Sequence, residues 1–98
     1  MPNGIHDHHL RRICQKIKLL ANQYDGHIKI PIDDFYKYIQ RYVTVDDSIT
    51  ITNLFAIKEF VFNFFKSFKY TVIVKGKYLL FSKKSKTDLS KYKTIELN

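Results

Sequence analysis

Residues 69–84, KYTVIVKGKYLLFSKK, constrain the fold more than any other segment of this 98-residue chain. Two runs rich in β-branched, aromatic and aliphatic residues flank a glycine, and this pattern predicts a β-hairpin. We expect Lys75-Gly76 to form a two-residue turn in which Gly76 supplies the positive φ and Val74 faces Lys77. One face of the hairpin is then apolar almost to its tip, and the tip itself is positively charged.

A helix is predicted near the N-terminus, because apolar residues recur there at steps of three and four. The residues of this stripe are Leu10, Ile13, Cys14, Ile17, Leu20, Ala21 and Tyr24. Asp7 is a candidate N-cap, and Gly26 is expected to end the turn that follows the helix. The basic residues of the helix, Arg11, Arg12, Lys16 and Lys18, fall on its opposite, solvated side.

The pattern changes to alternation in HIKIPI, residues 27–32, which predicts a short strand. Pro31 lacks an amide donor, so this strand is expected to be short or at a sheet edge. Asp33 is a candidate N-cap for a second helix, whose apolar stripe contains Phe35, Ile39 and Tyr42.

A third helix is predicted from Asn53 to about Phe68, with Ser48, Thr50 or Thr52 as its cap. Its apolar arc reaches roughly 220° at 100° per residue, which is wider than a one-sided surface helix needs. Phe55 and Phe62 account for part of this excess. Either a homodimer contact or packing against the first helix and the C-terminal tail would cover them.

The length and composition indicate one globular domain, since 45% of the residues are hydrophobic and 15% are aromatic. We expect an N-terminal tail at residues 1–7, a folded domain at 8–84 and a lysine-rich C-terminal tail at 85–98. The final KTIEL is expected either to add a strand or to stay outside the fold. The single cysteine, and the absence of a signal-peptide pattern or a long apolar segment, predict a cytoplasmic protein without a transmembrane helix.

The charge of the chain favours polyanionic partners. Seventeen Lys and Arg against nine Asp and Glu give a formal charge of +8. Nine lysines and one acid lie between Lys66 and Lys93, so a basic face is expected if the hairpin and the tail are adjacent. The alternative is that the lysines only keep an aromatic-rich protein in solution.

The order of these elements resembles the winged helix-turn-helix superfamily. The resemblance rests on HIKIPIDDFYKYI, where the first strand enters helix 2, and on FKSFKYTVIVKGKYLLFSK, where helix 3 enters the hairpin. It implies an α+β fold of three helices, a short first strand and a two-stranded β-hairpin wing. The size and the richness in Lys, Ile, Tyr and Phe are similar to those of small winged-helix regulators of archaea and of their viruses and plasmids.

The resemblance implies a transcriptional regulator that binds double-stranded DNA as a homodimer, in the host cytoplasm if the protein is viral. Helix 3 would place Thr50, Thr52, Asn53 and Ala56 near base edges, with Lys58 as a further DNA-binding residue. The wing would contact the backbone with Lys75 and Lys77. Further basic candidates are Lys37 and Arg41 on helix 2 and Arg11 and Arg12 on helix 1. Phe55 and Phe62 would form the dimer interface.

Two features depart from that pattern. The exposed arc of helix 3 has no arginine, so bidentate guanine recognition from it is not expected. The acidic Asp46 and Asp47 in the connection before helix 3 would repel phosphate. A protein-interaction module that docks a partner through aromatic helix 3 therefore stays open, and so does a binder of single-stranded nucleic acid that uses tyrosine and phenylalanine platforms.

No pattern of catalytic residues is visible, and we expect a non-enzyme without cofactor, small-molecule substrate or metal. His6, His8 and His9 suit metal ions as ligands, but no cysteine pair or acidic cluster accompanies them. Cys14 lies on the apolar stripe of helix 1, where a thiol acts as a small core group. Tyr36, Tyr38, Tyr78 and Tyr92 are interpreted mainly as core and core-edge residues.

Overall fold

The computed structural model describes residues 2–83 and 92–97. Within these residues the chain is an α+β protein with three helices, a four-stranded mixed sheet and a small two-stranded sheet. In chain order the elements are β1 (Asn3–Gly4), α1 (Asp7–Gln23), β2 (His27–Pro31), α2 (Ile32–Gln40), β3 (Thr44–Val45), α3 (Leu54–Ser67), β4 (Thr71–Lys75), β5 (Tyr78–Ser82) and β6 (Lys93–Thr94).

The larger sheet has the strand order β4-β5-β2-β6, in which β2 is antiparallel to β5 and parallel to β6. Ile28 and Ile30 of β2 are fully buried, as the alternating pattern predicted. The strand is short, which is one of the two expected alternatives, and it has a neighbour on each side, so it does not lie at the edge of the sheet. The backbone carbonyl of Lys29 faces β6 and accepts a hydrogen bond from the amide of Ile95 at 2.9 Å. Pro31 faces the same way beyond the end of β6, so its missing donor costs no hydrogen bond there.

The hairpin forms with a register different from the predicted one. Val74 pairs with Leu79 and Lys75 pairs with Tyr78, so the turn is Gly76-Lys77 and not Lys75-Gly76. Gly76 has φ of +60° at the first central position, which is where a type II′ turn requires a glycine. Each residue of β4 pairs with the residue two positions later in β5 than predicted. Because this shift is even, the same side chains stay together on the apolar face and on the mixed face.

Helix α1 buries the predicted stripe, including Leu10, Cys14 and Ile17, whereas Tyr24 at the end of that stripe is 40% exposed. Asp7 is the first helical residue and not the cap, because His6 holds the extended N-cap position. Gly26 has φ of +78°, and its amide donates to the carbonyl of Ala21 at 2.7 Å just after the helix ends.

The segment expected to be an N-terminal tail contributes to the fold. Asn3 and Gly4 pair with Val45 and Thr44, and Ile5 is fully buried. The amide of Ile5 donates to the carbonyl of Ile51 at 3.0 Å. This segment joins the fold because burial of the Ile5 side chain stabilises it. The strand was not predicted because two residues are too few to show a periodic pattern.

The caps of the other two helices also differ from the predicted ones. Helix α2 begins at Ile32, so Asp33 lies in its first turn, where a carboxylate interacts favourably with the helix dipole. Helix α3 is capped by Asn53 and not by Ser48, Thr50 or Thr52. The Oδ1 atom of Asn53 accepts a hydrogen bond from the amide of Ala56 at 2.8 Å.

Helix α3 joins the core through Ile57, Val61 and Phe65. The ring of Phe65 lies 4.8 Å from that of Phe81, between centroids, which links α3 to the sheet. Phe55 is 70% exposed and Phe62 is 38% exposed. Among the residues that the structure describes, packing against α1 and the C-terminal segment leaves both of these rings exposed.

The C-terminal segment that the structure describes is part of the same core. Lys93 and Thr94 form β6 beside β2, and Tyr92, Ile95 and Leu97 are buried. KTIEL thus adds a strand. The part of the predicted lysine-rich tail between positions 84 and 91 lies outside the described residues. No helix in the described part of the chain has both the length and the apolar content to cross a membrane.

Candidate nucleic-acid interface

The hairpin tip presents Lys75 and Lys77, which are both exposed. Strand β2 runs alongside the hairpin as far as Tyr78, and the amide of Ile32 donates to the carbonyl of Lys77 at 2.9 Å. The tip therefore ends level with the start of α2 and projects by little more than its turn. Asp33 lines the same shallow pocket as Lys77, so one carboxylate partly offsets the charge of the tip.

The approach to α3 carries three of the predicted base-contacting residues. Thr50 and Thr52 are exposed on either side of the buried Ile51, which pairs with Ile5. Asn53 is exposed, but its side-chain oxygen already accepts the capping hydrogen bond from Ala56. The hydroxyls of Thr50 and Thr52, unlike the side chain of Asn53, do not cap the helix.

The outer face of α3 combines aromatic and charged residues. At 100° per residue, Phe55 and Phe62 lie about 20° apart, and Lys58 lies about 60° from Phe55. Glu59 is exposed on the same arc. Because these side chains share one face, a partner that covers Phe55 also covers Lys58. The predicted roles of Lys58 in DNA contact and of Phe55 in dimerisation thus involve the same surface.

The adjacent arginines of α1 lie in two separate grooves. Arg11 lines a groove between α1 and α3, together with Phe60 and Phe64, and its guanidinium lies 4.0 Å from the Asp7 carboxylate. Arg12 lines a different cleft, toward α2. Lys37 and Arg41 are exposed, and the guanidinium carbon of Arg41 lies 5.4 Å from the centroid of the Tyr38 ring.

The concave region between α1 and α2, which we call the α1–α2 cleft, is basic and has a volume of about 330 Å³. Its lining residues are His9, Arg12, Ile13, Lys16, Tyr38 and Tyr42. The ammonium of Lys16 donates to the hydroxyl of Tyr38 at 3.2 Å and lies 4.9 Å from the centroid of the same ring. Among the described residues that line the cleft, none carries a carboxylate.

The hydroxyls of Tyr38 and Tyr42 share a hydrogen bond that moves their pKa values in opposite directions. The bond from Tyr42 and then the contacts with Lys16 and Arg41 lower the pKa of Tyr38, against the effect of burial. The same hydrogen bond raises the pKa of Tyr42. The Tyr38 oxygen thus accepts from both Tyr42 and Lys16, and Tyr38 is the phenol of the pair that loses its proton first as the pH rises.

The pKa of His9 responds first to burial and then to the positive charge of its neighbours. Desolvation, followed by the nearby His8, His6 and Arg12, lowers the pKa of His9 below its ordinary value. The ring of His9 lies 5.3 Å from that of Tyr42, between centroids. The imidazole is therefore held beside the tyrosine mainly in its neutral form at pH 7.

Sequence reasoning identified Arg12 and Arg41 as DNA-binding residues but did not include His9, Lys16, Tyr38 or Tyr42 among its site residues. A signal was present in the spacing, because Arg12 and Lys16 are four residues apart and so are Tyr38 and Tyr42. Each pair therefore lies on one side of its helical segment. That the two pairs face each other depends on how α1 packs against α2.

The cysteine and the N-terminal histidines, considered above as reactive or metal-binding groups, have the following surroundings. Cys14 is fully buried, which confirms the core role, and burial raises the pKa of its thiol to about 12. The Nε2 atom of His6 lies 3.5 Å from a carboxylate oxygen of Asp46. Within residues 2–83 and 92–97, no group of three or more His, Cys, Asp or Glu side chains is arranged to hold a metal ion.

Comparisons with protein-family models, with curated proteins and with solved structures find no match for this chain. No relative therefore contributes a function or a site to it. The surfaces that the geometry defines are the hairpin tip beside α2, the outer face of α3 and the α1–α2 cleft.

Proposed function

We propose that the chain is a winged-helix protein that binds duplex DNA and acts as a transcriptional regulator. The helix–strand–helix–helix–hairpin order supports the fold, as does the sheet that joins β2 to the hairpin. The formal charge of +8 supports a polyanionic partner.

The observation that carries the proposal is the position of the basic tip beside the start of α2. Lys75 and Lys77 adjoin, through the contact between Lys77 and Ile32, the helix that bears Lys37 and is followed by Arg41. Two basic segments side by side can contact successive phosphates of one strand. Thr50 and Thr52 are the groups that we propose for the groove.

We further propose that a second copy of the chain covers Phe55 and Phe62. A two-fold interface places the same arc of α3 from both copies together, so the exposed rings pack against each other. Lys58 and Glu59 lie on this arc and have opposite charges, so Lys58 of one copy can pair with Glu59 of the other. In such a dimer, contact with DNA depends more on the tip and α2 than on α3.

The test of DNA binding is fluorescence anisotropy with a random duplex at several salt concentrations, with unlabelled single strand as competitor. We expect micromolar binding that weakens steeply with salt and that the single strand displaces poorly. Changing Lys75 and Lys77 to Glu should weaken duplex binding at least about tenfold, because two phosphate contacts become repulsive. The melting temperature should stay unchanged, since both side chains are exposed.

The matched control changes Lys69 and Lys83 to Glu at the opposite end of the same hairpin. Lys83 follows Ser82 and Lys69 lies two residues before Thr71. Both lysines are exposed, and the variant carries the same charge change. An equal loss in both double variants would indicate a general effect of net charge. Unchanged affinity in the tip variant would contradict the wing proposal.

The exposure of Phe55 favours a second candidate function, a protein-interaction module that docks a partner through α3. Binding of this kind depends on apolar area and is insensitive to salt. The absence of duplex binding at low salt would favour this function.

The cationic and aromatic contacts around Tyr38 favour a third candidate, a binder of single strands. Strong competition by the unlabelled single strand in the anisotropy experiment would favour it over duplex recognition.

A further inference from the structure

We infer that the α1–α2 cleft binds a phosphate-bearing nucleotide, with the phosphate on Arg12 and Lys16 and the base or sugar against His9 and Tyr42. The residues that line the cleft belong to α1, to α2 and to the turn after α2, and none is from α3 or the hairpin. The site therefore includes no residue of the hairpin tip or of α3, and it adjoins the proposed duplex surface at Arg41, whose guanidinium carbon lies 5.4 Å from the centroid of the Tyr38 ring.

The two cations suit a phosphate group. Arg12 and Lys16 are four residues apart on α1, so their side chains are neighbours on one side of the helix. A guanidinium can bind two phosphate oxygens at once, and an ammonium adds a mobile donor. Together they can bind three oxygens of one phosphate from the same side.

Neither charge is neutralised within the cleft. Lys16 donates to a phenol, the hydroxyl of Tyr38, and no carboxylate is among the described lining residues. The nearest acidic residue on α1, Asp7, is paired with Arg11 instead. An anion that enters the cleft thus gains the attraction of both cations without having to displace a carboxylate.

The aromatic side of the cleft suits the remainder of a nucleotide. The ring of Tyr42 is half-buried and lies 5.8 Å from the ring of Tyr38 and 5.3 Å from that of His9, between centroids. A nucleobase can stack on such a group without sequence preference. A volume of about 330 Å³ lies at the lower end of the range for small-molecule sites and accommodates one nucleotide unit.

The test is isothermal titration calorimetry of the wild-type chain with three probes: inorganic pyrophosphate, ADP and a short oligothymidine. We expect saturable binding of one ADP per chain, tighter than the binding of pyrophosphate because the base adds its contact with Tyr42. Changing Arg12 and Lys16 to Gln should weaken binding at least about tenfold, since both charge-assisted contacts are lost.

The matched control changes Lys69 and Lys83 to Gln, which removes the same charge from the hairpin end and should alter the dissociation constant less than about twofold. Arg12 and Lys16 are exposed, so their replacement should preserve folding, which thermal melting checks. Lys16→Met alone provides a milder variant with the same expected direction. The absence of saturable binding with every probe, or an equal loss in the two double variants, would overturn the inference.

The probes also identify the source of the phosphate. Preferential binding of ADP indicates a free nucleotide, whereas binding of oligothymidine alone indicates a nucleic-acid strand, and in both cases the cleft variant must lose the binding. Anisotropy with duplex DNA on the same variants separates this site from the proposed function. Retention of nucleotide binding by a chain that binds no duplex would remove the proposed function and leave the cleft site in place.

Discussion

Arg11 and Arg12 follow one another in α1, yet their side chains lie in different grooves of the molecule. One residue of helix corresponds to a rotation of 100°, which is enough to direct two adjacent guanidinium groups to different neighbours. Arg11 contacts the aromatic groove beside α3 and pairs with Asp7, whereas Arg12 joins Lys16 at the α1–α2 cleft. At this scale, a basic dipeptide in the sequence is not one basic site.

Gly4 is a single residue on which the N-terminal strand depends. A Cβ atom at this position would lie 2.2 Å from the carbonyl oxygen of Ile51 and 2.9 Å from Cγ2 of Ile49. We expect Gly4→Ala to lower the free energy of unfolding by about 1–3 kcal/mol, because the backbone of β1 must move away from Ile51. Urea denaturation measures the change.

Asn3→Ala is the control, because Asn3 is exposed in the same strand. It should leave the urea midpoint nearly unchanged. If Gly4→Ala and Asn3→Ala have the same midpoint, the close approach of β1 to Ile51 is not a constraint in solution.

Helix α3 has more aromatic surface than the monomer buries. Ile57, Val61 and Phe65 point into the core at helical spacing, and this stripe follows from the 3.6-residue period. The rings of Phe55 and Phe62 lie outside the stripe and are exposed. As an element, α3 therefore presents one face to the core and leaves a second apolar face exposed.

A single substitution on the outer face of α3 tests the dimer. We expect Phe62→Asp to convert a dimer into a monomer, because two carboxylates would meet at the two-fold interface in place of two rings. Sedimentation velocity measures the oligomeric state.

Asn63→Asp is the control, since it adds the same charge one residue away and keeps the Phe62 ring. This variant should remain dimeric. A wild-type chain that sediments as a monomer over the accessible concentration range would eliminate the dimer proposal.

At the scale of the whole molecule, the N-terminal and C-terminal segments both pair with other strands and pack into the core. The N-terminal residues pair with the connection before α3, and the C-terminal residues add β6 beside β2. Ile5, Ile95 and Leu97 all belong to the main core cluster. The domain is therefore larger than the element pattern of residues 8–84 indicates, and both ends contribute to its stability.

Truncating Leu97 tests the contribution of the C-terminal end. We expect Leu97→Ala to lower the free energy of unfolding by about 2 kcal/mol or more, since Leu97 is 5% exposed. Glu96→Ala is the control, because Glu96 is exposed next to it. Chemical denaturation of the two variants should give clearly different midpoints, and equal midpoints would show that the C-terminal segment is not packed in solution.

The three helices and the faces of the hairpin follow from the sequence because their patterns are local. Hydrogen bonds within a helix and side-chain periods of 3.6 or two residues depend on near neighbours, so Leu10, Ile17, Phe65 and Phe81 were correctly predicted to be on apolar faces. Even with a different turn, the faces of the hairpin stayed the same, because an even shift preserves alternation.

What only the tertiary structure decided is how distant segments meet. The pairing of Gly4 with Thr44 and the burial of Ile5 involve strands of two residues, which leave no periodic pattern in the sequence. The α1–α2 cleft requires Lys16 and Tyr38, 22 positions apart, to come within hydrogen-bonding distance. Such contacts depend on how whole elements pack, because close packing of the core sets the distance and angle between helices. The sequence by itself determined the three helices, β2, the hairpin strands and their apolar faces, whereas the tertiary structure determined which charged faces adjoin.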